Sequence, residues 1–201
     1  MSNPERMRIE AISGVGDIQP EALASSGILA VGFDINGTVC PANQPSEVTA
    51  DAVQLFDDLR AFDIIPFLVT SNKSIRDNKR VASQLGKPLI VCPGFALKTK
   101  PNPSMILHGG KELDVDMANV AFVGDCWRRD GKAAKRAGLP LFLWTEKVEG
   151  GTGIINALPR GPREWFMRRY VEISGTTKGI VNDLEADIFN RDNPQENIVT
   201  R

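Results

Sequence analysis

Apolar residues in this chain gather into five short runs: ILAVGF at 28–33, IIPFLV at 64–69, LIVC at 89–92, VAFVG at 120–124 and LPLFLW at 139–144. Each has the length of one strand. Each is nearly continuous rather than alternating, the pattern of parallel strands covered on both faces. The segments between them carry helical spacing instead. VTADAVQLFDDLRAFD sets Val53, Phe56, Leu59 and Phe62 on one stripe, with Thr49 placed to cap its start. SIRDNKRVASQLG runs to Gly86, which suits the position just past a helix end, and DGKAAKRAGLP reads as a short helix closed by Gly138. Strand alternates with helix throughout. This predicts an α/β fold with a doubly wound, Rossmann-like parallel sheet in three α/β/α layers.

Around that core, residues 1–27 read as a lead-in with one short helix, Pro20 in its first turn and Gly27 at its close. The main domain spans 28–174. Within it, 150–162 is a Gly/Pro-rich connection, and 163–174 place Phe166, Tyr170 and Ile173 at helical spacing. The polar tail 175–201 reads as partly disordered.

Charge narrows the function classes. The 201 residues, enough for one well-cored domain, carry 24 basic and 25 acidic side chains and a net charge of -1, which speaks against nucleic-acid binding by bulk electrostatics. Cys40, Cys92 and Cys126 are too few and too scattered for a disulfide framework or a paired-cysteine zinc site, so a reducing, cytoplasmic setting is expected. No stretch reaches the roughly 18 apolar residues of a transmembrane helix, and the first residues lack the apolar centre of a signal peptide. His108 is the only histidine and lies near a predicted helix end, where a surface or capping role fits better than catalysis.

In open α/β sheets, ligands bind at the carboxyl ends of the strands. The first predicted strand ends in Asp34-Ile35-Asn36-Gly37-Thr38, and the second in Thr70-Ser71-Asn72. Lys98-Thr99-Lys100-Pro101 follows the third, and the fourth ends in Gly124-Asp125 with Asp130 five positions on. A carboxylate, a hydroxyl, an ammonium and a carboxylate pair thus meet on one rim. Phosphoryl transfer needs such a set: a carboxylate to attack phosphorus, acidic oxygens to hold Mg²⁺, and a lysine and hydroxyl to stabilise the equatorial oxygens. Gly37 lets the backbone turn closely around a phosphate. Taken singly, each element also has a plain structural reading: a cap, a turn or a solvated loop lysine.

The motifs FDINGTV, VTSN, KTKP and VGDCWRRD, in this order over residues 28–144, resemble the four motifs of the haloacid dehalogenase superfamily. Within it the chain is similar to the capless subfamily IIIA and its phosphatidylglycerophosphate phosphatase group, through the lead-in DIQPEALASSGILAVGFD, the Ser71-Asn72 pair, Lys100-Pro101 and the late EWFMRRY. The resemblance implies that Asp34 is the nucleophile, becoming an aspartyl-phosphate, and also a Mg²⁺ ligand. It implies that position 36 lends its carbonyl to the metal and that Ser71, with Thr70 as alternative, binds the phosphoryl group. Lys100, with Lys98 as substitute, would bridge nucleophile and phosphate. Asp125 would bind Mg²⁺ directly and Asp130 would support its water shell. Gly37, Thr38 and Asn72 would line the phosphate.

One position departs from the pattern. Phosphatases of the superfamily carry a second aspartate two residues after the nucleophile, as general acid and base, and this chain has Asn36. General acid–base help is commonly worth ~10²–10⁴-fold. A slow or specialised phosphatase is the leading expectation, ahead of a protein that binds a phosphorylated ligand and of other transfer chemistry.

Asp34 and Ser71 lie 37 positions apart, and Ser71 and Lys100 lie 29 apart. The predicted helices fill both gaps, so no cap domain is expected. An open rim admits a bulky phosphorylated substrate such as a lipid headgroup, or closure by another subunit of an oligomer. Arg128, just after Asp125, is a candidate contact for an anionic substrate, and Trp127 reads as a buried residue at a helix start. Trp165, Phe166 and Met167 beside Arg168 and Arg169 are compatible with peripheral membrane contact.

Overall fold

The computed structural model describes residues 7–44, 46–94 and 97–148. The predicted connection at 150–162, the helix at 163–174 and the tail from 175 lie outside the described residues. Six strands form one parallel sheet: β1 (Arg8–Ile12), β2 (Ala30–Phe33), β3 (Ile65–Val69), β4 (Leu89–Val91), β5 (Val120–Gly124) and β6 (Leu141–Thr145), in the order β1-β6-β5-β2-β3-β4. The helices are α1 (Pro20–Ser25), α2 (Ala50–Ala61), α3 (Ile75–Gln84), α4 (Ser104–Glu112) and α5 (Lys132–Arg136). Leu23 of α1, Leu55, Phe56 and Leu59 of α2 and Val81 of α3 pack with Val31, Phe33 and Leu68 in one apolar layer. Met105 and Ile106 of α4 and Ala133 and Ala134 of α5 pack with Phe67, Phe122 and Phe142 in the other. The sheet is therefore covered on both sides, as its near-continuous apolar strands require.

The lead-in holds more than a helix. Strand β1 pairs in parallel with β6, Arg8 opposite Leu141 through Ile12 opposite Thr145. Its sequence RIEAI alternates charged and apolar residues, and only Ile9 is fully buried, as befits an edge strand. Thr49 caps α2 by accepting the Ala52 amide, but the buried face is Ala52, Leu55, Phe56 and Leu59, while Phe62 is exposed. Gly27, Gly86 and Gly138 all adopt positive φ at helix ends. The segment after β5 begins with a π-helical turn, Trp127–Gly131, before α5.

Strand β2 is followed by β3 and β4 on one side, whereas β5 lies on its other side and leads to β6. The carboxyl ends of β2 and β5 are thus a topological switch point, where such sheets form a crevice. Asp34 follows β2 there and Asp125 follows β5. Among the described residues, no helix is long and apolar enough to cross a membrane.

Candidate active site

Asp34 leaves β2 with its amide still bonded to the Val123 carbonyl of β5. The chain then coils tightly: the amides of Thr38, Val39 and Cys40 all donate to the Ile35 carbonyl, and Gly37 N–H donates to Cys40 O at 2.7 Å. Gly37 has φ +90, and a Cβ there would stand 2.6 Å from Asp125 Oδ2. The close approach of this loop to Asp125 therefore needs glycine. The loop is also strapped to the segment after β6, since Val148 N–H donates to Gly37 O and Ala42 N–H to Val148 O.

Lys100 enters from the loop after β4. Its Nζ lies 2.6 Å from Asp34 Oδ1 and 2.6 Å from Asp130 Oδ1, and donates to the Val69 carbonyl at 3.2 Å. Lys98 is exposed, with its backbone engaged by Ser104. Burial works to lower the Lys100 pKa, but the carboxylates of Asp130 and Asp34 reverse it and raise it above the usual lysine value. The lysine stays charged. Burial, with the nearby negative charge of Asp34, pushes the Asp130 carboxyl up against the opposing pull of Lys100. Asp130 is held by the turn itself, Oδ2 accepting the Cys126 amide at 3.1 Å. A Cβ on Gly124 would reach within 2.6 Å of Asp130 Cβ, so glycine at the end of β5 lets Asp130 fold back.

Asp125 is anchored by Trp144, whose indole N–H donates to its carbonyl at 3.2 Å. Trp127 is buried against Phe142 and Trp144. This matches its reading as a core residue. One carboxylate oxygen from each of Asp34, Asp125 and Asp130 lies within 4.8 Å of the other two. An all-oxygen anionic set of this kind fits a hard divalent cation.

Three more buried oxygens in these loops, Asn36 Oδ1, Thr38 Oγ1 and Ser71 Oγ, have no hydrogen-bond partner. Orphaned polar atoms are rare inside proteins and mark places where a ligand or water completes the bonding. Thr70 differs: its hydroxyl accepts the Asn72 amide. Asn72 is engaged as well, its carboxamide oxygen accepting the Ser74 amide at the start of α3. Arg128 is exposed, and the cation facing the carboxylates is its neighbour. Arg129 Nη2 lies 3.8 Å from both Asp34 Oδ2 and Asp125 Oδ1. Burial alone would lower the Arg129 pKa, yet Asp130 and Asp34 raise it. The sequence signal for Arg129 is its spacing of four from Asp125, which one helical turn brings together. His108 sits on α4, 3.9 Å from Glu112, on the surface.

A family model described as haloacid dehalogenase-like hydrolase matches residues 18–138. The chain belongs to this family. An N-acetylmuramic acid 6-phosphate phosphatase from Pseudomonas putida is 31% identical to this haloacid dehalogenase-like hydrolase over 97 residues, 46% of this chain and 43% of that protein. The chain thus matches less than half the length of that curated relative. Among solved structures, an uncharacterized protein from Listeria monocytogenes serotype 4b superposes with TM-score 0.50 at 16% identity, covering 67% of this chain and 87% of that one. A second reaches TM-score 0.52 at 16% identity, covering 84% of this chain and 98% of that one. At such identity the likeness speaks to the fold, a Rossmann-like parallel sheet flanked by helices.

Proposed function

We propose that this haloacid dehalogenase-like hydrolase is a phosphatase, a phosphoric monoester hydrolase working through an aspartyl-phosphate on Asp34. The observation that supports it most directly is the buried Lys100 Nζ, 2.6 Å from Asp34 Oδ1 in a cluster with Asp125 and Asp130. One Asp34 oxygen attacks phosphorus, and the ester oxygen departs with its bonding electrons. Lys100 holds the nucleophile in place and offsets charge building on the phosphoryl oxygens. Ser71, whose Oγ lacks a partner, donates to one of those oxygens. Asp34, Asp125 and the carbonyl at position 36, with Asp130 behind them, would hold Mg²⁺, which when bound shields the anionic phosphate from the anionic nucleophile. Water then attacks the aspartyl-phosphate, releasing phosphate and restoring Asp34.

Asn36 carries no exchangeable acid, so the leaving oxygen takes its proton from solvent. This favours slow turnover or a substrate with a good leaving group. The open rim suits a bulky phosphate ester. A lipid headgroup such as that of phosphatidylglycerophosphate follows from the motif resemblance, whereas the Pseudomonas putida relative is named for a sugar phosphate. Asn36 also supports a second reading, a protein that binds a phosphorylated ligand without turning it over. Phosphate release measured with Mg²⁺ on wild type and Asp34→Asn, with lipid and sugar phosphates in parallel, separates the two. Release by wild type alone supports the phosphatase, and release by neither protein supports the binder.

A further inference from the structure

Lys100 occupies one oxygen each of Asp34 and Asp130. The remaining oxygen of Asp34 and Asp125 Oδ1 face a different cation, Arg129 Nη2, at 3.8 Å each. Asp34 and Asp125 are also the carboxylates through which a divalent cation would be held, so guanidinium and metal answer to the same negative charge. The two resident cations are held differently. Lys100 is sealed from solvent, while the Arg129 side chain is 36% exposed. At 3.8 Å its pairing rests on charge rather than on short, aligned hydrogen bonds. Of the two cations Arg129 is the one that a metal can displace, since it is partly solvent-exposed and makes no short bond to either carboxylate.

We infer that Arg129 is the resident counter-ion of the metal-binding carboxylates. It neutralises Asp34 and Asp125 in the metal-free protein, and a divalent cation must displace it to bind. Arg129 thereby lowers metal affinity and stabilises the metal-free site. The inference rests on the phosphatase reading only for the expectation that a metal binds here.

The test is a calorimetric titration of Mn²⁺, in phosphate-free buffer, into wild type, Arg129→Gln, Arg129→Lys and Lys87→Gln. Lys87 lies before the amino end of β4, so its substitution removes one positive charge at the opposite end of the strands. Arg129→Gln should tighten Mn²⁺ binding by about 1.5- to five-fold, the range that a partly exposed ion pair supports. Arg129→Lys, which keeps the charge, should tighten it less, and Lys87→Gln should leave it unchanged. Without metal, Arg129→Gln should melt below wild type and gain more on Mn²⁺ addition. Equal or weaker Mn²⁺ affinity in Arg129→Gln, or equal tightening in Lys87→Gln, overturns the inference alone. Absence of Mn²⁺ binding to wild type and variants alike overturns the metal reading and the inference together.

Discussion

Lys100 Nζ lies 2.6 Å from Asp34 Oδ1, with the two side chains 0% and 5% exposed. Removing that ammonium leaves the carboxylates of Asp34 and Asp130 buried with their nearest cation gone. Breaking one side of a buried pair typically costs about 3–5 kcal/mol. Lys100→Met should therefore lower the urea unfolding midpoint markedly and abolish phosphate release. A stability within about 1 kcal/mol of wild type would mean that water or Arg129 already compensates these charges.

Gly37 brings the loop after β2 against Asp125. Gly37→Ala meets both a positive φ of +90 and a Cβ position 2.6 Å from Asp125 Oδ2. About 1–3 kcal/mol of stability should be lost through the backbone alone. Divalent-cation affinity should fall as well, because Asp125 must shift. Mn²⁺ titration of folded Gly37→Ala reads this directly, and unchanged affinity would show that the loop does not position Asp125.

Burial, then the charges of Asp34 and Glu47, push the Cys40 thiol up to about 12. The folded pKa lies above the ordinary thiol value of 9.0, so the stabilising contribution is complete below pH 9 and is lost as pH rises toward 12. Since the thiolate is the reactive form, native protein at pH 8 should be alkylated by iodoacetamide at half-buried Cys92 and spared at the buried Cys40 and Cys126. Peptide mass mapping checks the pattern.

Asn36 sets the expected rate. Asn36→Asp should raise hydrolysis of a simple phosphate ester, by up to ~10²-fold or more if proton transfer limits turnover. Intact-mass analysis must accompany the wild-type assay, because an asparagine followed by glycine can lose ammonia to become aspartate. The native loop opposes this, with Gly37 N–H bonded to Cys40 O at 2.7 Å. No gain in Asn36→Asp, with metal binding intact, would place the limiting step elsewhere.

The five inner and far strands were legible because both their faces are covered, which makes their sequences continuously apolar. β1 was not, because an edge strand with Arg8 and Glu10 paired at its surface looks like any short polar segment. The residues at the site were legible as types at strand ends, where topology sends side chains to one rim. Which of two neighbours faces inward was less so. Lys100 over Lys98 depends on the loop path after β4. Arg129 over Arg128 depends on the π-helical turn that starts at Trp127. Thr70 and Ser71 are separated by a local bond, Thr70 Oγ1 to the Asn72 amide, that spacing alone does not reveal.

Trapping the phospho-enzyme is the sharpest test of Asp34 as nucleophile. Wild type and Asp34→Asn would be mixed with Mg²⁺ and an aryl phosphate, quenched in acid, and read by intact mass and peptide mapping. If Asp34 is the nucleophile, wild type gains the mass of one phosphoryl group on the peptide holding Asp34, lost on hydroxylamine treatment, and Asp34→Asn gains none. A phosphoryl group on another residue, or turnover that persists in Asp34→Asn, would contradict it.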